Sequence, residues 1–363
     1  MSKLRFWVRI WSRRDVLGPK CTFPGHREHA GVGVKKGEGQ GMAITLSVLA
    51  TQNTGVPATA ERDQRTSDLI QAAKADNTRL AYRAAIEHFL LWGGLLPCGS
   101  AAVVAYLVDH ARSHGIRTLR LRVTAIGQWH RLLLLDDPTR APEVATVLAG
   151  IANSEGKPKN KAKALIVEDL DAIVAMLREQ GSRRALRDSA LLQLGLYGAF
   201  RRSELVQLQI KDLSWEREGL RLQLSRSKTD QAKEGITKAI PYGDPARCCP
   251  VTALRAWLDA AGITSGPLFR RLWQGDTLGE EGLSVGSVNA IVATRAAEAQ
   301  VIGRLTSHSL RRGLATSAHR AGADFLAIKK QGGWRADSTV REYIEEAEMF
   351  TSNAAGELLK RRI

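Results

Sequence analysis

The sequence predicts a mainly α protein with a small β-sheet, built as two domains. Three observations carry this. The 363 residues are more than one hydrophobic core usually serves. From Asn77 onward, apolar residues recur at helical spacing, with capping residues and breakers between the runs. Only two short runs, Gly219–Ser227 and Ile236–Tyr242, alternate with the period of a strand, joined by a turn through Thr229–Gly235.

Residues 1–62 stand apart. Gly31, Gly33, Gly37, Gly39 and Gly41 crowd a polar stretch without apolar period, so the segment is expected to be a flexible basic tail. "GVGVKKG" has neither a strand before it nor a helix after it, which a phosphate-cradling loop needs. Met1–Lys20 is charged throughout and lacks the apolar region of a secretory signal. Met42 is an alternative start of translation, which would make residues 1–41 a reading-frame artefact.

Residues 63–156 predict a helical domain. Asn77-Thr78 caps a helix running to about Trp92, and further helices fit 101–113, 117–135 and 142–153. The third has two faces. Leu119, Val123, Ile126 and Leu133 line one, and Arg117, Arg120, Thr124, Gln128 and Arg131 the other. The polar face is either plain solvated surface or a face for a DNA major groove, where Arg and Gln reach base edges.

Residues 157–165 form a basic linker, in which Lys157, Lys159, Lys161 and Lys163 alternate around Pro158, a residue that disfavours helix. It is a plain connector or a cationic strap across phosphates. Residues 166–346 form the second domain, with helices at 168–178 and 186–197, a short one near Ser203, the hairpin, and helices at 250–261, 284–299, 308–320, 324–331 and 338–346. Residues 347–363 end in a short helix around Leu358 and Leu359.

Charge narrows the partners. Lys and Arg number 53 against 37 acidic residues, a formal net charge of +16 spread along the chain. That favours an extended polyanion, DNA or RNA, over a membrane surface or a small acidic substrate. No apolar run reaches the length of a membrane span. Cys21, Cys98, Cys248 and Cys249 form no C-x-x-C, which fits a reducing cytoplasm, and Cys21, His26 and His29 lack a fourth metal ligand.

The chemistry-bearing residues lie late in the chain. His308 and Arg311 are three apart and share a helix face. Arg201 follows an apolar run, where a charge needs a partner or a ligand, and Glu204 is a ready partner. Taken singly, each fits an ordinary structural role. Taken together, two guanidiniums can grip the non-bridging oxygens of one phosphodiester and act most strongly on a pentavalent transition state. The Trp334 indole N–H adds a donor, and the Tyr343 phenol supplies a nucleophile whose attack gives a phosphotyrosine. Lys228 at the strand turn can protonate the leaving oxygen, with Lys233 and Lys238 as alternatives in or beside the same turn. No Walker A sequence, H-E-x-x-H or acidic cluster near His308 occurs, so no metal, ATP or other cofactor is expected.

Five segments, "GAFRRSELVQLQIKDL", "SRSKTD", "SHSLRRG", "AGADFLAIKKQGGW" and "STVREYIE", make the chain resemble the tyrosine recombinase (phage integrase) family, in its Cre/Xer-like branch. "NTRLAYRAAIEHFLLW" and "TLRLRVTAIGQWHR" resemble that family's helical core-binding domain. The likeness spans roughly residues 63–360 and implies a core-binding domain plus a catalytic domain, forming a clamp on duplex DNA. It implies that Arg201 and Arg311 hold the scissile phosphate, Lys228 protonates the 5′ oxygen, and His308 bonds the phosphate and assists proton transfer. Trp334 stands where many relatives carry histidine, and Tyr343 forms a 3′-phosphotyrosine. It further implies site-specific recombination through a Holliday junction by a homotetramer on two inverted-repeat sites, with the C-terminal helix docking into a neighbouring subunit. A type IB topoisomerase and an idle DNA-binding descendant are the alternatives. Nothing in the sequence explains the charge of Arg202.

Overall fold

The computed structural model describes residues 76–156, 161–224, 235–349 and 354–360. The chain divides at Pro158/Lys159 into two compact units. The tail expected over 1–62, and Lys157, Lys159, Lys228 and Lys233, lie outside the described residues.

The first unit contains α1 (Asp76–Leu91), α2 (Ser100–His110), α3 (Ile116–Leu132) and α4 (Pro142–Ser154). Their apolar faces bury Phe89, Val103, Tyr106, Leu107, Leu119, Ile126 and Val144 in one core. The two faces expected for α3 are present, with Leu119, Val123 and Ile126 buried and Arg117 and Arg120 exposed. Arg122 departs from the pattern. It is buried, its guanidinium 5.9 Å from the Tyr106 ring centre.

The second unit opens with α5 (Val167–Gln180), α6 (Arg183–Tyr197) and the short α7 (Arg202–Gln207). Strands β1 (Leu213–Trp215), β2 (Gly219–Leu224) and β3 (Ile236–Pro241) form an antiparallel sheet in the order β1-β2-β3. After α8 (Pro250–Ala261), β4 (Arg270–Leu272) and β5 (Leu278–Gly282) pair as a second, two-stranded sheet. The helices α9 (Val285–Glu298), α10 (Ser307–Arg320), α11 (Phe325–Gly332), α12 (Asp337–Glu348) and α13 (Ala354–Lys360) follow.

The expected hairpin is β2–β3, with Leu222 opposite Lys238. Strand β1 and the β4–β5 pair were not expected. They are short, and hydrogen bonding to a partner rather than local propensity makes them strands.

α6 is the centre of this unit. From Ala190 to Leu196 every residue is buried, as in a helix surrounded by others. Around it lie Leu254, Trp257, Leu268, Phe269, Val288 and Leu310. Ala199, Ala315, Ile328, Trp334, Val340 and Tyr343 form a smaller cluster separate from that core. Among the described residues, no helix is long and apolar enough to cross a membrane.

Candidate active site

α10 delivers three basic side chains from its first turns. Thr306 caps it, its hydroxyl accepting from His308 N at 3.2 Å, and Ser309 Oγ accepts from Thr306 N at 3.0 Å. This fixes where the helix begins and therefore which way His308, Arg311 and Arg312 project. His308 Nε2 lies 2.9 Å from Tyr343 Oη on α12. Arg311 and Arg312 are both buried.

The end of α6 delivers Arg201. Phe200 N donates to Gly195 O at 3.2 Å and Ala199 N to Leu196 O at 2.9 Å, the paired bonds of a left-handed helix cap. Glycine usually fills the central position of such a cap. Here Ala199 fills it with φ of 45°, a conformation costing an L-residue about 1–2 kcal/mol. The Arg311 guanidinium donates through Nη1 to Ala199 O and holds it there. Arg201 then sits at the N-cap of α7, half-buried. Glu204 accepts from its backbone N at 2.9 Å and from its Nη1 at 2.6 Å, so one carboxylate caps the helix and fixes the guanidinium.

"QGGW" delivers Trp334. A β-carbon on Gly332 would fall 1.8 Å from the indole ring, so only glycine leaves room for it. Gly333 closes α11 at φ of 62°, in the left-handed region. The buried indole then lies 4.9 Å from the Arg311 guanidinium and edge-on to the Tyr343 ring at 6.0 Å. Arg311 Nη2 donates to Gly332 O at 2.9 Å.

Burial, followed by the neighbouring cations, sets the electrostatics. Burial and then Arg201 lower Arg311 to about 10. His308 keeps solvent access. Partial burial, then Arg311, Arg312 and Arg201, lower its pKa below the ordinary 6.5, so the imidazole is neutral at pH 7. Burial raises the Tyr343 phenol above 10.0, opposed by Arg312 and Arg311. A neutral imidazole facing a protonated phenol at hydrogen-bond distance is an acceptor paired with a donor.

The structure thus brings together His308, Arg311, Trp334 and Tyr343 by direct contact, with Arg201 close enough to act on Arg311 and His308. Lys228 lies outside the described residues. Lys238 is buried, its Nζ donating to Gly198 O at 2.6 Å and Gln331 O at 2.5 Å. Of the residues expected to face DNA, Gln128 lies 3.4 Å from Arg131, which also pairs with Asp137. Lys161 pairs with Glu342 at 2.5 Å, and Lys163 with Asp169 at 3.2 Å. Arg202 is exposed, and nothing in the structure explains its charge.

The phage integrase family model matches residues 163–349, which include every residue of this cluster. The integrase/recombinase xerD homolog of Selenomonas ruminantium is 33% identical over 322 residues, 86% of this chain and 94% of that protein. The chain belongs to the phage integrase family. It is a tyrosine recombinase, an enzyme that breaks and rejoins DNA. Tyrosine recombinase XerC of Roseiflexus castenholzii is 25% identical over 74% of this recombinase and 82% of its own length. Among solved structures, the Tn1549 transposon integrase in complex with transposon right end DNA superposes with a TM-score of 0.57 at 14% identity, over 82% of this chain and 96% of that one. The lambda integrase dimer bound to a COC′ core site gives 0.54 at 16% identity, over 78% and 93%. At such identities these two establish the fold of the recombinase.

Proposed function

We propose that this recombinase cuts and rejoins duplex DNA at specific sites through a 3′-phosphotyrosine, without metal or ATP. The observation that carries the proposal is the 2.9 Å contact between His308 Nε2 and Tyr343 Oη beside Arg311 and Trp334. As the phenol oxygen attacks phosphorus, its proton passes to neutral His308. The new O–P bond replaces the bond from phosphorus to the 5′ oxygen, which leaves with a proton from Lys228. No bond energy is lost to water, so the released 5′ hydroxyl can reverse the step on another strand.

Arg201 and Arg311 hold the phosphate oxygens. Two of the five Arg311 N–H donors go to backbone carbonyls, and the rest serve the phosphate. The Trp334 indole N–H adds one bond. Arg117, Arg120, Gln128 and Arg131 on α3, with the linker lysines Lys157, Lys159, Lys161 and Lys163, contact the duplex. The solved relatives described as bound to DNA support that partner. Four protomers act on two inverted-repeat sites and pass through a Holliday junction, with residues 347–363 docking into a neighbour. The exposure of Leu358 and Leu359 suits that docking.

Tyr343→Phe tests the proposal. On a nicked suicide duplex the variant should bind as wild type and give no covalent protein–DNA adduct on a denaturing gel. An adduct formed by the variant would remove Tyr343 as nucleophile.

A further inference from the structure

The last carbonyls of a helix have no partner within it. At the end of α6, three consecutive ones are taken by side chains from three other elements. Gln331 Nε2 on α11 donates to Tyr197 O at 2.9 Å, Lys238 Nζ on β3 to Gly198 O at 2.6 Å, and Arg311 on α10 to Ala199 O. The two cations also reach the end of α11. Lys238 donates to Gln331 O at 2.5 Å and Arg311 to Gly332 O at 2.9 Å. They are parallel rungs between the turn leading into Arg201 and the turn leading into Trp334.

Only one rung belongs to the chemistry already described. Lys238 lies on the inward face of β3 with Ile240, is 4% exposed, and has the Phe200 ring 5.1 Å from its ammonium. No carboxylate among the described residues forms an ion pair with it. An apolar residue would suit this strand position better, because a buried ammonium without a counter-ion opposes folding.

We propose that Lys238 is a positioning residue for phosphoryl transfer: its ammonium locks the two turns in register, so that Arg201, Arg311 and Trp334 converge on one phosphate. The inference rests on the phosphotyrosine reading above. Two of its three N–H donors are committed to backbone carbonyls, which makes it a brace rather than an acid offered to the leaving group. Burial first, and then Arg311, lower its pKa to about 7, while Glu204 opposes and Arg201 adds to the fall. An arriving phosphate offsets the two guanidiniums, favours the ammonium and tightens the brace.

Lys238→Met keeps the length and removes the charge. The probe is a duplex selected by the wild-type protein from a randomised pool and nicked beside the mapped cleavage position, with the scissile bond made either to oxygen or to a bridging 5′ sulfur. Binding should match wild type, and the melting midpoint should change little, because loss of the buried ammonium offsets the two carbonyls left short of a donor. Single-turnover cleavage should fall about 10- to 100-fold, as for misplaced catalytic groups, and equally on both substrates. Cleavage at the wild-type rate would overturn the inference. So would recovery on the sulfur substrate, which makes Lys238 a proton donor, or a joint loss of melting midpoint and binding, which makes it a residue of the fold alone. Failure of wild-type protein to form any adduct would instead remove the phosphotyrosine reading.

Discussion

The guanidinium of Arg312 lies 5.3 Å from the centre of the Tyr343 ring. Its Nη2 bonds Glu346, one turn further along α12, and its Nη1 donates to Ala162 O at 2.6 Å. One buried cation therefore orients the phenol, ties down its helix and opposes the rise that burial imposes on its pKa.

Arg312→Met should accordingly leave the phenol harder to ionise. Cleavage should slow by about tenfold, in line with losing part of a general acid–base contribution, and the pH–rate profile should move to higher pH. A profile unchanged in position would show that Arg312 serves packing only.

In the proposed reaction His308 must be neutral to accept the phenol proton, and burial with the neighbouring arginines holds its pKa below the ordinary 6.5. Single-turnover cleavage should therefore be insensitive to pH from 7 down to about 6.5 and fall below that, as the imidazole protonates. His308→Gln should lack this acidic limb and run roughly 10²-fold slower. Stopped reactions across pH 5–8 with DNA in excess of its dissociation constant would show both effects.

Arg201→Ala and Arg311→Ala should each cost about 3–4 kcal/mol of transition-state stabilisation, with much smaller effects on binding. They should differ in stability. Arg311 also holds Ala199 O and Gly332 O, so its loss leaves two buried carbonyls short of a donor and should lower the unfolding free energy by a further ~1–3 kcal/mol. Urea titrations of the two variants would separate them.

Ala199→Gly relieves a left-handed cap occupied by an L-residue. The variant should gain about 0.5–1 kcal/mol in urea unfolding, the relief being partly offset by the greater freedom of glycine in the unfolded chain. A loss of stability would mean that the Ala199 methyl contributes more to the satellite cluster than its backbone costs.

The helices were legible because their apolar period is local, although Asn77-Thr78, expected to cap α1, lies inside it. His308 and Arg311 followed from the same spacing. Lys238 was legible in part. It stands two residues from both Ile236 and Ile240, so strand alternation places it on the inward face, yet only the fold shows that carbonyls from α6 and α11 meet it there. Arg122 escaped because a long cation beside an apolar stripe can either reach water or fold over a ring such as Tyr106. The Arg312–Glu346 and Lys161–Glu342 pairs join residues far apart in the chain, which no local pattern reports. Strands β1, β4 and β5 escaped because their partners, not their composition, define them.

The cluster that packs Tyr343 with Trp334, Ile328 and Val340 is not continuous with the core around α6. A small separate core opens more readily than the body it rests on. In heavy water, the amides of α11 and α12 should take up deuterium through a shared local opening, while those of α6 and α8 wait for global unfolding. Tyr343 would then belong to a foldon of its own, able to leave and regain its place while α6 and the core around it remain standing.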